Sequence, residues 1–217
     1  MKTLDEIAIK HGTDKSSLFH NYAVNYEHHF EAMRDQPISF LELGWGGHED
    51  PLKGGESARA WREYFSKAKI AIIDNEEKDP STMVKDVEFV LVSQDNAKEL
   101  HKLSEGYDGW DIVVDDASHV SSLTIASFKA LWEHIKPGGY YVVEDLHSSY
   151  HAHWYTLDEA NPNPFMNGRK GLTAMNFFKR LADEVSYDKL EQRYWLGYPD
   201  IESITFYRDI VFVRKKQ

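Results

Sequence analysis

Two pairs of adjacent acids, Asp115-Asp116 and Glu144-Asp145, each close a short run of apolar, β-branched residues, and His119 follows the first pair by three positions. Carboxylates gathered at one place repel one another and need a compensating charge. A hard divalent cation, magnesium, calcium or manganese, suits their oxygens, and a histidine beside it can exchange a proton near neutral pH. The pattern therefore points to a metal site. The alternative is that these acids are solvated strand ends, or that Asp116 or Ser118 caps the helix that follows.

The elements that must position these groups lie between Gly109 and Tyr150. The run Trp110-Asp-Ile-Val-Val114 reads as a strand. Ile125, Phe128, Trp132 and Ile135 then recur at helical spacing, and Pro137-Gly138-Gly139 is expected to stop that helix before a second strand, Tyr140-Tyr-Val-Val143. A strand, a helix and a second strand form a βαβ unit with parallel strands. Both acid pairs then emerge at the carboxyl edge of the sheet, where open α/β sheets bind ligands.

Upstream, Ile38 to Leu43 is a strand running into Gly44-Trp45-Gly46-Gly47, a turn that lets backbone approach a ligand closely. The next strand, Ile70 to Ile73, ends on Asp74, placed to accept hydrogen bonds from ribose hydroxyls. A third, Val87 to Val92, ends on the polar stretch Ser93-Gln94-Asp95. Ala58 to Phe65 and Ala97 to Leu103 read as the intervening helices. Ile201 to Tyr207 and Ile210 to Val213, joined only through Arg208-Asp209, must form an antiparallel hairpin.

The remaining segments frame this core. Leu4, Ile7 and Ala8 suggest a short helix, and Tyr22, Tyr26, His29, Phe30 and Met33 mark one broad face of a second, best read as packing. Between them Thr13, Asp14, Lys15 and His20 make a polar patch. Residues 1–37 are therefore expected to form a helical lid on a single domain whose core spans 38–217. Residues 147–170, rich in histidine, aromatics, Pro and Asn, are expected to be a substrate cover. His147 and His151 share a helical face and could bind zinc, but no third ligand is indicated and the loop contains several breakers, so the substrate cover is the better reading.

Composition narrows the class of function. The chain has 217 residues and a net charge of −11 without a basic run, which argues against nucleic acid. It contains no cysteine, which removes disulfides, thiolate metal sites and cysteine nucleophiles. The N-terminus lacks the apolar core of a signal peptide, and no run is long enough to span a bilayer, so a soluble, cytoplasmic protein without a membrane partner is expected.

Taken together, Gly12-Thr-Asp-Lys15, Tyr26-Glu27, Phe40-Leu-Glu-Leu-Gly44, Gly54-Gly55, Trp61, Tyr64-Phe65, Gln94, Asp115-Asp-Ala-Ser-His119, Lys136-Pro-Gly-Gly139 and Glu144-Asp145 carry a resemblance. The chain resembles the class I S-adenosylmethionine-dependent methyltransferases, on the branch of the metal-dependent macrolide and deoxysugar O-methyltransferases. The resemblance implies a Rossmann-like α/β fold, mostly parallel, with strand order 3-2-1-4-5-7-6. It implies that Asp116, Glu144 and Asp145 hold magnesium or manganese and that His119 is the general base. Glu42, Gly44, Gly46, Asp74, Gln94, Asp95 and Asp115 would line the S-adenosylmethionine site. The acceptor would be the hydroxyl of a sugar or glycoside, and a homo-oligomer is expected. Other readings are a non-sugar antibiotic or catechol-like hydroxyl as acceptor, or a non-catalytic, cofactor-binding assembly partner.

Overall fold

The computed structural model describes residues 1–47, 50, 52–151, 173–186 and 196–217. They build a seven-stranded sheet in the order β3-β2-β1-β4-β5-β7-β6, the order the family resemblance implies. The chain divides into two compact units, Met1–Ser93 and Gln94–Gln217.

The first unit starts with α1 (Leu4–His11). Thr3 accepts from the Glu6 backbone N–H at 3.2 Å while Glu6 accepts from that of Thr3 at 2.8 Å, so two otherwise orphaned donors are satisfied reciprocally. The helix stops at Gly12, whose φ of 77° suits a residue without a Cβ. α2 (Ala23–Phe30) follows, and buries Tyr26 and Phe30. The edge of Tyr26 meets the Trp61 ring at 5.1 Å, and Phe30 lies 6.3 Å from Phe65. Phe40 completes the cluster, 5.0 Å from Trp61. The aromatic stripe of residues 22–33 is thus core, and each such ring contributes roughly 1.5–3 kcal/mol by leaving water. β1 (Ser39–Leu43), α3 (Glu56–Tyr64), β2 (Lys69–Asp74) and β3 (Val87–Leu91) complete the unit. Both strand pairs are parallel, Leu43 facing Ile73 and Asp74 facing Leu91.

The second unit holds α4 (Ala97–Gly106), β4 (Trp110–Asp115), α5 (Ser121–Leu131), β5 (Ile135–Val143), α6 (Ala174–Ser186), β6 (Ile201–Tyr207) and β7 (Ile210–Lys215). β4 and β5 are parallel and end together, Asp115 facing Val143, while β7 is antiparallel to both β5 and β6. Phe128 is its packing centre, with Tyr141, Phe177 and Phe178 edge-on at 5.0 to 5.4 Å.

One element differs from the sequence reading. The helix between β4 and β5 ends at Leu131, a single 3-10 turn (Trp132–His134) follows, and Ile135 already belongs to β5. Pro137-Gly138-Gly139 is therefore not the helix stop. It is an irregularity within the strand, between the pairings Trp110–Ile135 and Ile112–Tyr140. A Cβ at Gly139 would sit 2.8 Å from the Asp111 carbonyl oxygen, so a side chain there would push the strands apart.

Much of the expected cover, residues 152–170, lies outside the described residues. No helix among the described residues is long and apolar enough to cross a membrane.

Candidate active site

The carboxyl ends of the strands carry two groups of polar side chains, one in each unit. In the first unit β1 runs into the glycine turn. Gly44 N–H donates to the Ile73 carbonyl at 2.8 Å, and Trp45 N–H donates to Asp74 Oδ2 at 2.9 Å. Asp74 Oδ1 accepts from Glu76 N–H at 3.0 Å, and Lys78 Nζ lies 3.3 Å from Asp74 Oδ2 while donating to the Gly46 carbonyl at 2.9 Å. Lys78, which the sequence reading missed, thus fixes both the strand-end acid and the glycine turn, with a side chain only 2% exposed. Gly46 has φ 80°, and Gly54 crosses so close that a Cβ on it would meet the Gly46 carbonyl carbon at 2.9 Å. The glycines here are required first by the crossing of two backbone segments.

Glu42 is fully buried. Ser57 Oγ donates to Oε2 at 2.7 Å, Trp61 Nε1 donates to Oε1 at 3.1 Å, and Lys15 Nζ stands 3.5 Å from Oε1. Desolvating a carboxylate is tolerated only with such partners. Lys15, read as part of a polar patch, is therefore an interior counter-ion.

In the second unit the acid pairs divide. Asp115 is buried and accepts from Ser127 Oγ at 2.7 Å, from Tyr141 OH at 3.2 Å and from Gln94 Nε2 at 3.3 Å. Gln94 in turn accepts from Ser118 N–H at 3.1 Å, which ties it to the loop after β4. Burial outweighs these hydrogen bonds and pushes the Asp115 carboxyl up to about 6. Ser127 gave one sequence signal, a hydroxyl beside Phe128 on the buried side of α5. Glu144 is buried as well, while Asp95 is exposed.

Asp116, His119 and Asp145 come together, with one ligand-capable atom from each lying within 4.8 Å of the others. His119 Nε2 is 3.5 Å from Asp145 Oδ2, and these side chains are 20% and 15% exposed. His147 Nδ1 lies 3.9 Å from Asp145 Oδ1, and the His147 and His151 rings stand edge to face at 5.9 Å. Glu144 is not in the converging group. Both His119 (φ 57°) and Asp145 (φ 53°) adopt the left-handed conformation, which costs a non-glycine residue roughly 1–2 kcal/mol. The capping alternative fails for both residues it named. α5 has Val120 at its N-cap with no side-chain bond, and Ser118 Oγ instead accepts from Val120 N–H at 3.2 Å. The donor set fits a divalent cation, since the Asp116 and Asp145 carboxylates converge on one point with solvent access, and the His119 imidazole stands beside them, its Nε2 able to take a proton.

The state of Asp115 has a measurable consequence for stability. Its folded pKa is raised above the unfolded value, so the native state binds the proton more tightly and stability falls as pH rises from about 4 to about 6. A shift of this size corresponds to roughly 3 kcal/mol. Urea unfolding at both ends of that window should show the loss in the parent protein and a smaller one in Asp115→Asn. An equal loss in both would place the titration elsewhere.

No family model matches the chain. It is 32% identical over 216 residues to the 8-demethyl-8-alpha-L-rhamnosyl tetracenomycin-C 2'-O-methyltransferase of Streptomyces olivaceus, covering 97% of this chain and 54% of that protein. It is 30% identical over 217 residues to the mycinamicin VI 2''-O-methyltransferase of Micromonospora griseorubida, covering 98% of this chain and 52% of that one. A solved structure of the MycE methyltransferase from the mycinamycin pathway, in complex with Mg, SAH and mycinamycin VI, matches with a TM-score of 0.85 at 28% identity, over 100% of this chain and 55% of its own. The chain spans about half the length of these relatives. From the strand order and this likeness along nearly its whole length, the chain has the class I S-adenosylmethionine-dependent methyltransferase fold and is a relative of the macrolide and deoxysugar O-methyltransferases.

Proposed function

We propose that the chain is an S-adenosylmethionine- and magnesium-dependent O-methyltransferase acting on a hydroxyl of a sugar or glycosylated product. The observation that carries this reading is the convergence of Asp116, His119 and Asp145. The named relatives are O-methyltransferases of a rhamnosyl tetracenomycin-C and of mycinamicin VI, and the MycE structure is a complex with Mg, SAH and mycinamycin VI.

Asp116 and Asp145 would hold the cation, while Glu144, expected as a third ligand, is buried outside their converging group. When bound, magnesium supplies positive charge that acidifies and orients a hydroxyl. S-adenosylmethionine supplies a methyl group on a positively charged sulfur, activated without help from the protein. What is left for the chain is to place the acceptor hydroxyl and remove its proton. His119 Nε2 is the base, and Asp145, 3.5 Å away, stabilises the imidazolium that results. Asp74 and the turn Gly44 to Gly47 serve the cofactor, with Glu42, Gln94 and Asp115 as buried supports and Asp95 on the surface.

Titration calorimetry with S-adenosylmethionine, with and without magnesium, tests the reading. Binding supports a methyltransferase, and its absence in both conditions overturns it. In Asp74→Ala the affinity should fall about ten- to a hundredfold, from the loss of charge-assisted hydrogen bonds worth about 1.5–3 kcal/mol. Because Lys78 then loses its counter-ion, a melting curve of the variant must accompany the titration. Unchanged affinity in the folded variant would remove Asp74 from the cofactor site.

A further inference from the structure

The second unit contains another group of metal-ligating side chains, outside the site described above. His101 projects from α4, and Glu133 and His134 lie in the 3-10 turn after α5. One ligand-capable atom from each lies within 4.8 Å of the others. His101 Nδ1 is 3.3 Å from Glu133 Oε1, and His134 Nε2 is 3.8 Å from the same oxygen. Donors bound to one tetrahedral zinc ion at 2.0–2.1 Å stand about 3.4 Å apart, so these spacings need only small side-chain rotations.

A second observation points to a ligand. His134 Nε2 is buried and has no hydrogen-bond partner in the structure. A buried polar nitrogen left this way is costly unless something fills the position it faces. The His101 and His134 rings stand edge to face at 4.8 Å, so neither ring plane blocks the space between the donors. The Glu133 side chain is 64% exposed and that of His101 40%, which leaves a route in from solvent. Lys215 lies 3.2 Å from Asp200 Oδ2 and donates to the Trp132 and Glu133 carbonyls at 3.1 and 3.4 Å, so its charge is already compensated.

We propose that His101, Glu133 and His134 form a second metal site, for a borderline transition metal such as zinc, which pins α4 to the junction between α5 and β5. Two imidazoles and one carboxylate select zinc, nickel or copper over magnesium, in contrast to the oxygen-rich group at Asp116. Three protein ligands leave a fourth position for water. The site is a staple: it joins two segments 32 positions apart, numbered 101 and 133, and stabilises the unit by binding only the folded state.

Zinc titration against a chromophoric chelator, in chain carrying Asp116→Asn and Asp145→Asn, removes the first cluster from the count. One zinc ion per chain should bind there and raise the melting temperature. His134→Ala and, separately, Glu133→Gln should weaken that binding by more than roughly tenfold. Both positions border solvent, so the variants are expected to fold. In the parent chain, substoichiometric copper should broaden the ring signals of His101 and His134 together in nuclear magnetic resonance spectra. Zinc binding unchanged by both substitutions, no zinc bound at all, or ring signals of this pair that stay sharp would each overturn the proposal.

Discussion

In Asp116→Asn, magnesium-stimulated methyl transfer should fall by at least about 10²-fold while affinity for S-adenosylmethionine stays close to that of the parent. Asparagine keeps the shape and one neutral oxygen but removes the charge, and a bound cation contributes several kcal/mol of charge stabilisation to such a reaction. Asp74, Lys78 and the glycine turn are untouched by the change, which is why turnover and cofactor binding should separate. Steady-state rates across a magnesium titration, beside calorimetry with the cofactor, check both halves. A parallel loss of cofactor affinity would show that Asp116 serves the cofactor directly.

His119→Ala should behave differently. Magnesium should still bind at Asp116 and Asp145, but the chemical step should slow by about 10²–10⁴, the usual contribution of a positioned general base. Part of the loss should return at high pH, where hydroxide takes the proton instead. The alanine does not relieve the left-handed backbone at position 119, since it still carries a Cβ. A pH–rate profile with single-turnover kinetics separates this from misfolding. A variant as fast as the parent near neutrality would assign His119 to holding Asp145 or the cation rather than to proton transfer.

The sequence carried the fold because its strands are short apolar runs that stop on acids or glycines, and because a two-residue link at Arg208-Asp209 permits only a hairpin. It misplaced Ile135 because Ile125, Phe128, Trp132 and Ile135 keep helical spacing across a boundary set by tertiary packing. Periodicity alone does not register where a 3-10 turn hands over to a strand.

The acid pairs show a different limit. Neighbouring residues at a strand end point opposite ways. Each pair splits where its strand gives way to a turn, left-handed at Asp145, so that Asp115 and Glu144 are buried while Asp116 and Asp145 join His119. The roles written onto whole pairs needed that split. Partners such as Lys15 for Glu42, or Tyr141 and Ser127 for Asp115, are distant in sequence, and only the folded chain brings them together.

The proposed function requires a divalent metal, held by the acids after β4 and β5, for sugar O-methylation. Its most direct test is methyl transfer from labelled S-adenosylmethionine to a panel of glycosides, after exhaustive chelation and again after magnesium is restored. Methylation should disappear with chelation and return with magnesium. Methylation undiminished in the chelated protein would contradict this, leaving Asp116, His119 and Asp145 as a purely protonic or structural group.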